Sequence, residues 1–130
     1  MQMNQPFPNH LKEFITHLLP AADWATAQAA GEYRPVSLET EGFIHFSTPA
    51  QILAVANDFY HGQIDLVLLW VDPDRLNFPL RWEPPFPPAH QDEPGMLFPH
   101  LYGPLNLDAV MGIVQFTADS DGIFRTVLSP

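Results

Sequence analysis

The sequence predicts a single α+β domain: a mixed, twisted, split β-sheet carrying two short helices in its N-terminal half. Three observations predict it. Strand-like apolar runs outnumber helical patterns, both helical patterns end by Gly62, and 130 residues make room for one core but not two.

Residues 1–13 contain Pro6, Pro8, Asn4 and Asn9 without periodicity and read as a flexible arm before a domain over residues 14–130. The run FITHLL, residues 14–19, is apolar and ends at Pro20, which suits a first strand. AADWATAQAAG is alanine-rich and closes on Gly31, so it reads as a short helix anchored in the core by Trp24. FIHF after Gly42 is a second strand. Thr48 and Gln51 then fit a capping box, with Pro49 at the first helical position. The helix so started puts Ile52, Val55, Ala56 and Phe59 on one face, a stripe read as core rather than as binding surface.

LVLLWVD, residues 66–72, is rich in β-formers and nearly all apolar, the pattern of a central strand buried on both faces. LRWE makes a short strand before EPPFPPAHQDEP, residues 83–94. Its prolines exclude helix and central strand, leaving a long loop that is either a lid or a plain connection. FPHLYGPL forms a rigid turn presenting His100 and Tyr102, GIVQF a strand, residues 119–122 a turn, and IFRTVL a last strand.

Composition narrows function. With no cysteine there is no disulfide, thiolate metal site or cysteine nucleophile. Net charge is −10, and the fixed cations are Lys12, Arg34, Arg75, Arg81 and Arg125, too few and too scattered for a phosphate-neutralising surface. This argues against nucleic acid as a partner, while the small-molecule or nucleotide ligand expected here rests on the histidines. The N-terminus lacks the pattern of a secretory signal and no stretch has the ~20 apolar residues of a membrane span, so the cytoplasm is the expected location. No dinucleotide-fold glycine motif, phosphate loop, nucleophile elbow or zinc-protease motif occurs.

His17, His45 and His100 each sit among apolar neighbours, whereas His10, His61 and His90 read as surface residues. Any one of the three is ordinarily a core histidine bonded to backbone. Three in like settings point to a shared cavity. Ser47, at a strand-to-helix junction, is a candidate ligand contact, and Thr48 a cap. Glu83 is the first candidate carboxylate and Glu41 the second.

Taken in order, His17, Asp23-Trp24, residues 31–38 (GEYRPVSL), residues 41–48 (EGFIHFST) and residues 98–105 (FPHLYGPL) resemble the bacterial and plant family named domain of unknown function 952, over about residues 14–116. That family is similar in motif layout to the ADP-ribosyltransferase superfamily, which includes the RNA 2′-phosphotransferases and binds NAD in the cleft of a split, mixed sheet. The resemblance implies NAD as substrate, with His17 at its ribose and His45 or Ser47 at nicotinamide. A late glutamate assists transfer in that pattern. Here the late motif supplies His100 and Tyr102 with no adjacent glutamate, a departure from ordinary protein ADP-ribosylation. The resulting catalytic set is His17, His45, His100 and Glu83, and the NAD-binding set is His17, Arg34, His45, Ser47 and Tyr102, with no metal expected. Arg34 and the start of the helix after Thr48 are the candidates for the pyrophosphate. A non-catalytic small-molecule sensor and a three-histidine metal site are the alternatives.

Overall fold

A computed structural model describes residues 13–86 and 95–130. The elements run β1 (Ile15–Pro20), α1 (Ala21–Ala30), β2 (Glu32–Tyr33), α2 (Ser37–Thr40), β3 (Ile44–His45), α3 (Ile52–Phe59), β4 (Leu66–Val71), β5 (Leu80–Glu83), β6 (Phe98–Leu101), β7 (Leu105–Asn106) and β8 (Val110–Phe116), with 3-10 turns at Pro73–Arg75 and Leu107–Ala109. This is an α+β domain. No helix among the described residues is long and apolar enough to cross a membrane.

The strands form two three-stranded sheets, β1-β4-β8 and β3-β6-β5, and a two-stranded one, β2-β7. Every pair named is antiparallel, where a mixed sheet was expected. The reason lies in the connections: α1 and α3 each leave a strand of one sheet and lead to a strand of another, so neither acts as a crossover between parallel neighbours. The two larger sheets meet at Ser47, whose backbone exchanges bonds with Thr16 of β1 (Thr16 N to Ser47 O 2.7 Å, Ser47 N to Thr16 O 2.9 Å) just after Phe46 N has bonded Pro99 O of β6.

Period-two alternation distributes the core. Ile15 and Leu19 of β1 with Leu69 and Val71 of β4 face α1 and the second sheet, packing on Trp24, Ala27, Phe46 and Leu101. Leu18, Leu66 and Leu68 face the other way, toward Ile52 and Ala56 of α3, Phe116 and Phe124. The central position and apolar character of β4 are as expected, with Val67 and Trp70 half-buried.

Four sequence expectations need correction. Three helices occur among the described residues, since one turn at Ser37–Thr40, too short to show periodicity, is closed by Gly42 at φ +91°. The capping box forms, Thr48 N bonding Gln51 Oε1 and Gln51 N bonding Thr48 Oγ1, but as a turn one step ahead of a helix that begins at Ile52. The α3 stripe is only half core: Ile52 and Ala56 are buried, whereas Phe59 is exposed. Residues 123–128 are not a strand, because the backbone of Phe124 is satisfied on both sides by the Asn57 amide (N to Oδ1 2.8 Å, O from Nδ2 2.9 Å), which takes the place of a neighbouring strand. The arm over residues 1–12, His10, His90 and most of the proline-rich loop lie outside the described residues.

Candidate functional site

In the sheet order β1-β4-β8, β1 is an edge, and beyond the Ser47 bridge that edge opens on a cavity of about 590 Å³. His17, His45, His100 and Ser47 all line it, so the structure brings the three central histidines together. They differ in what their ring nitrogens can do.

His17 is fully committed. Its Nδ1–H donates to the His45 carbonyl (2.6 Å), so Nε2 carries the lone pair and accepts the Tyr33 hydroxyl (2.9 Å). Burial, the leading effect, drives its pKa down to about 4, which keeps the ring neutral. Burial likewise raises the Tyr33 phenol. His17 therefore forms a neutral, fixed wall of the cavity.

His45 and His100 face each other as direct partners across β3 and β6, ring centroids 5.5 Å apart. Each is backed by a carboxylate: His45 Nε2 by Glu41 Oε1 (2.5 Å), four residues earlier, and His100 Nδ1 by Glu83 Oε1 (2.8 Å) on β5. Glu83 also accepts the Tyr102 hydroxyl at 2.6 Å. Tyr102 and then His100 hold the Glu83 carboxyl below the usual range. Burial outweighs Glu83 at His100 and lowers the imidazole pKa. His100 is only 2 % exposed. Phe43 stacks on its ring at 4.0 Å and 22°. With its one proton on Nδ1 toward Glu83, Nε2 is a bare acceptor without a partner among the described residues.

A further polar feature belongs to the backbone. Because Thr16 turns its N–H and C=O toward Ser47, antiparallel alternation turns those of Leu18 the same way, off β4 and onto the cavity. The Leu18 carbonyl accepts the Tyr60 hydroxyl at 3.2 Å, and its N–H has no partner among the described residues.

The remaining candidates are placed less directly. Glu83 and Tyr102 act behind His100 and are not on the cavity wall. Arg34 is not brought to the cavity: its side chain is exposed and pairs with Glu32. No group of three histidines or carboxylates among the described residues is arranged to hold a metal, and His17 has no free nitrogen to give, so the three-histidine metal reading loses its geometry. Sequence reasoning missed Leu18, Asp23, Asp58 and the apolar rim of Val36, Phe59 and Phe86. Of these only Phe59 had a signal, as the exposed end of the α3 stripe.

Fold and cavity together define a small α+β domain in which a buried histidine, backed by a half-buried carboxylate, lines a ligand-sized recess. The chain belongs to the family described as protein of unknown function DUF952, whose model matches residues 18–113. It is similar to protein CC0527 from Caulobacter crescentus: the crystal structure is 32 % identical with TM-score 0.73, covering 86 % of this chain and 93 % of that one. The solution structure of CC0527 is 33 % identical with TM-score 0.70, covering 86 % and 91 %. No curated protein matches the sequence.

Proposed function

We propose that the cavity binds a small heteroaromatic carboxamide joined to a sugar, of which the nicotinamide–ribose portion of NAD is the model. The observation that carries this reading is the β1 edge at Leu18, whose N–H is unpartnered among the described residues and whose carbonyl keeps a second lone pair beside the Tyr60 hydroxyl, set in the same recess as the unpartnered Nε2 of His100. A carboxamide offers an acceptor and a donor side by side and can pair with a strand edge as a neighbouring strand would. A sugar hydroxyl then supplies the donor that His100 Nε2 requires. The cavity volume falls within the ~300–1,000 Å³ of small-molecule sites, and its walls are mostly apolar. The resemblance to ADP-ribosyltransferases makes NAD the first ligand to try.

The Glu83–His100 pair favours a second reading, in which the bound NAD is cleaved. The nicotinamide–ribose bond breaks with its electron pair leaving on the ring nitrogen, a water or acceptor hydroxyl bonds to the sugar carbon, and His100 Nε2 takes the proton that the nucleophile loses. Glu83 supports the resulting imidazolium electrostatically, and the largely apolar walls limit access of competing water.

The test is a titration of the protein with NAD, followed by amide-resolved NMR and by assay of free nicotinamide. Shifts centred on Leu18, His45 and His100 without nicotinamide are expected of a binding domain; the same shifts with release establish cleavage. Absence of shifts at millimolar NAD overturns NAD as ligand.

A further inference from the structure

His45 and His100 repeat one arrangement on two neighbouring strands. Each ring gives one nitrogen to a carboxylate, His45 Nε2 to Glu41 at 2.5 Å and His100 Nδ1 to Glu83 at 2.8 Å, and both carboxylates stand behind the cavity lining. Because the two histidines are direct partners in the β3-β6 ladder, their side chains leave the same face of the sheet, and both line the cavity. Phe43 sets the two rings at once, stacked on His100 at 4.0 Å and tilted against His45 at 4.8 Å. The nitrogens left over are His45 Nδ1 and His100 Nε2, neither with a partner among the described residues.

A carboxylate on the far nitrogen fixes the tautomer of a histidine and compensates the charge gained on protonation, which suits the ring to exchange protons with a ligand. One such histidine serves a reaction that only removes a proton. Two, with ring centroids 5.5 Å apart, can act at the two ends of one bond, the first as base and the second as acid. Their surroundings assign the roles. His100 is buried and burial lowers its pKa, so it is the neutral partner that accepts a proton. The His45 side chain is 38 % exposed and within reach of protons from solvent. As an imidazolium it keeps Nε2–H on Glu41 and holds its second proton on Nδ1.

Cleavage of NAD leaves the second histidine idle, because nicotinamide departs as a neutral ring and needs no proton. We infer that the site hydrolyses neutral N-glycosides, carboxamide-bearing aromatic ribosides whose departing ring must be protonated, with His45 as the catalytic acid opposite His100. The oxygen of water bonds to the sugar carbon while the carbon–nitrogen bond breaks with its electron pair on the ring. His100 Nε2 takes the proton that water loses, and His45 Nδ1 delivers one to a ring nitrogen. The products are the free sugar and the neutral heterocycle, and proton exchange with solvent restores both histidines. The inference rests on the carboxamide–sugar reading for the identity of the ligand, and on the Glu41–His45 pair for the acid.

The test compares two ribosides that differ in their leaving group: nicotinamide riboside, which needs no acid, and imidazole-carboxamide riboside, which does. Release of the free base is measured for the native protein, His45→Gln and Glu41→Gln. The native protein is expected to cleave both. His45→Gln should lose about 10²-fold or more in kcat on the imidazole riboside and less than about 10-fold on nicotinamide riboside. Glu41→Gln, which removes only the charge behind His45, should show the same selective loss to a smaller degree with KM unchanged. Native cleavage of nicotinamide riboside alone overturns the inference and leaves cleavage of the NAD type standing. Losses equal on the two ribosides, or absent from both, in whichever of the two variants folds overturn the acid role. If neither riboside is cleaved the inference fails, and the amide shifts that the same compounds produce decide separately whether the binding reading stands.

Discussion

At the scale of single residues, His17 shows how a histidine can be central to a site without being its reactive group. Its ring makes tilted contacts with Tyr33 and Phe46 and both nitrogens are consumed internally. Its pH behaviour follows with a definite sign. The unfolded chain binds a proton on this ring near 6.5, the folded protein only near 4, so stability from this source is full above 6.5 and declines as pH falls toward 4. At ~1.4 kcal/mol per unit the decline is about 3 kcal/mol. Urea unfolding of His17→Phe should show a lower stability at pH 7, by ~2–4 kcal/mol for two orphaned hydrogen-bonding groups. Between pH 6.5 and 4 its stability should depend on pH by about one proton less than that of the native protein. Parallel pH profiles for the two would mean that His17 protonates normally in the fold. His100 is the converse case, with one nitrogen spent on Glu83 and the other left open to the cavity.

At the scale of elements, what the sequence disclosed depended on the length of the pattern. The six-residue strands β1 and β4 were legible because their apolar runs are long and bounded by proline or aspartate, and the capping box at Thr48 and Gln51 was legible because its two partners lie three residues apart. The pairing of Glu83 with His100 was not, since it joins β5 to β6 across 17 positions and depends on register. The edge at Leu18 was invisible for a different reason: it is a property of backbone direction, fixed only when Thr16 pairs with Ser47. Residues 123–128 misled because β-propensity cannot reveal that the Asn57 side chain, 67 positions away, will occupy the backbone groups of Phe124. That substitution of a side chain for a strand has a measurable consequence. Asn57→Ala removes both bonds and loosens the lid of the second core, where Phe124 stacks on Phe116 at 5.1 Å. A loss of ~1–3 kcal/mol is expected, together with faster amide exchange confined to residues 117–130. Exchange that rises evenly over the whole domain would show that this segment is not a separable unit.

At the scale of the whole molecule, two sheets joined at Ser47 create the recess, and each contributes one kind of chemistry to it. The β1 edge brings backbone donors and acceptors; the β3-β6-β5 sheet brings histidines backed by carboxylates. α3 closes the remaining side with an amphipathic face that is half core and half rim, so a change on the rim should separate binding from folding. Ala54 is the position for it, exposed on α3 and part of the cavity lining. Tryptophan at this exposed position displaces no core side chain and lowers helix propensity by only ~0.5 kcal/mol, so the unfolding midpoint should move little. A ligand that binds the folded state alone raises that midpoint by an amount that grows with the logarithm of one plus its concentration over Kd. In Ala54→Trp the rise produced by NAD should therefore shrink to that of an affinity at least ~10-fold weaker, equivalent to ~1.4 kcal/mol. A native-sized rise in this variant would place the ligand somewhere other than the recess between the sheets.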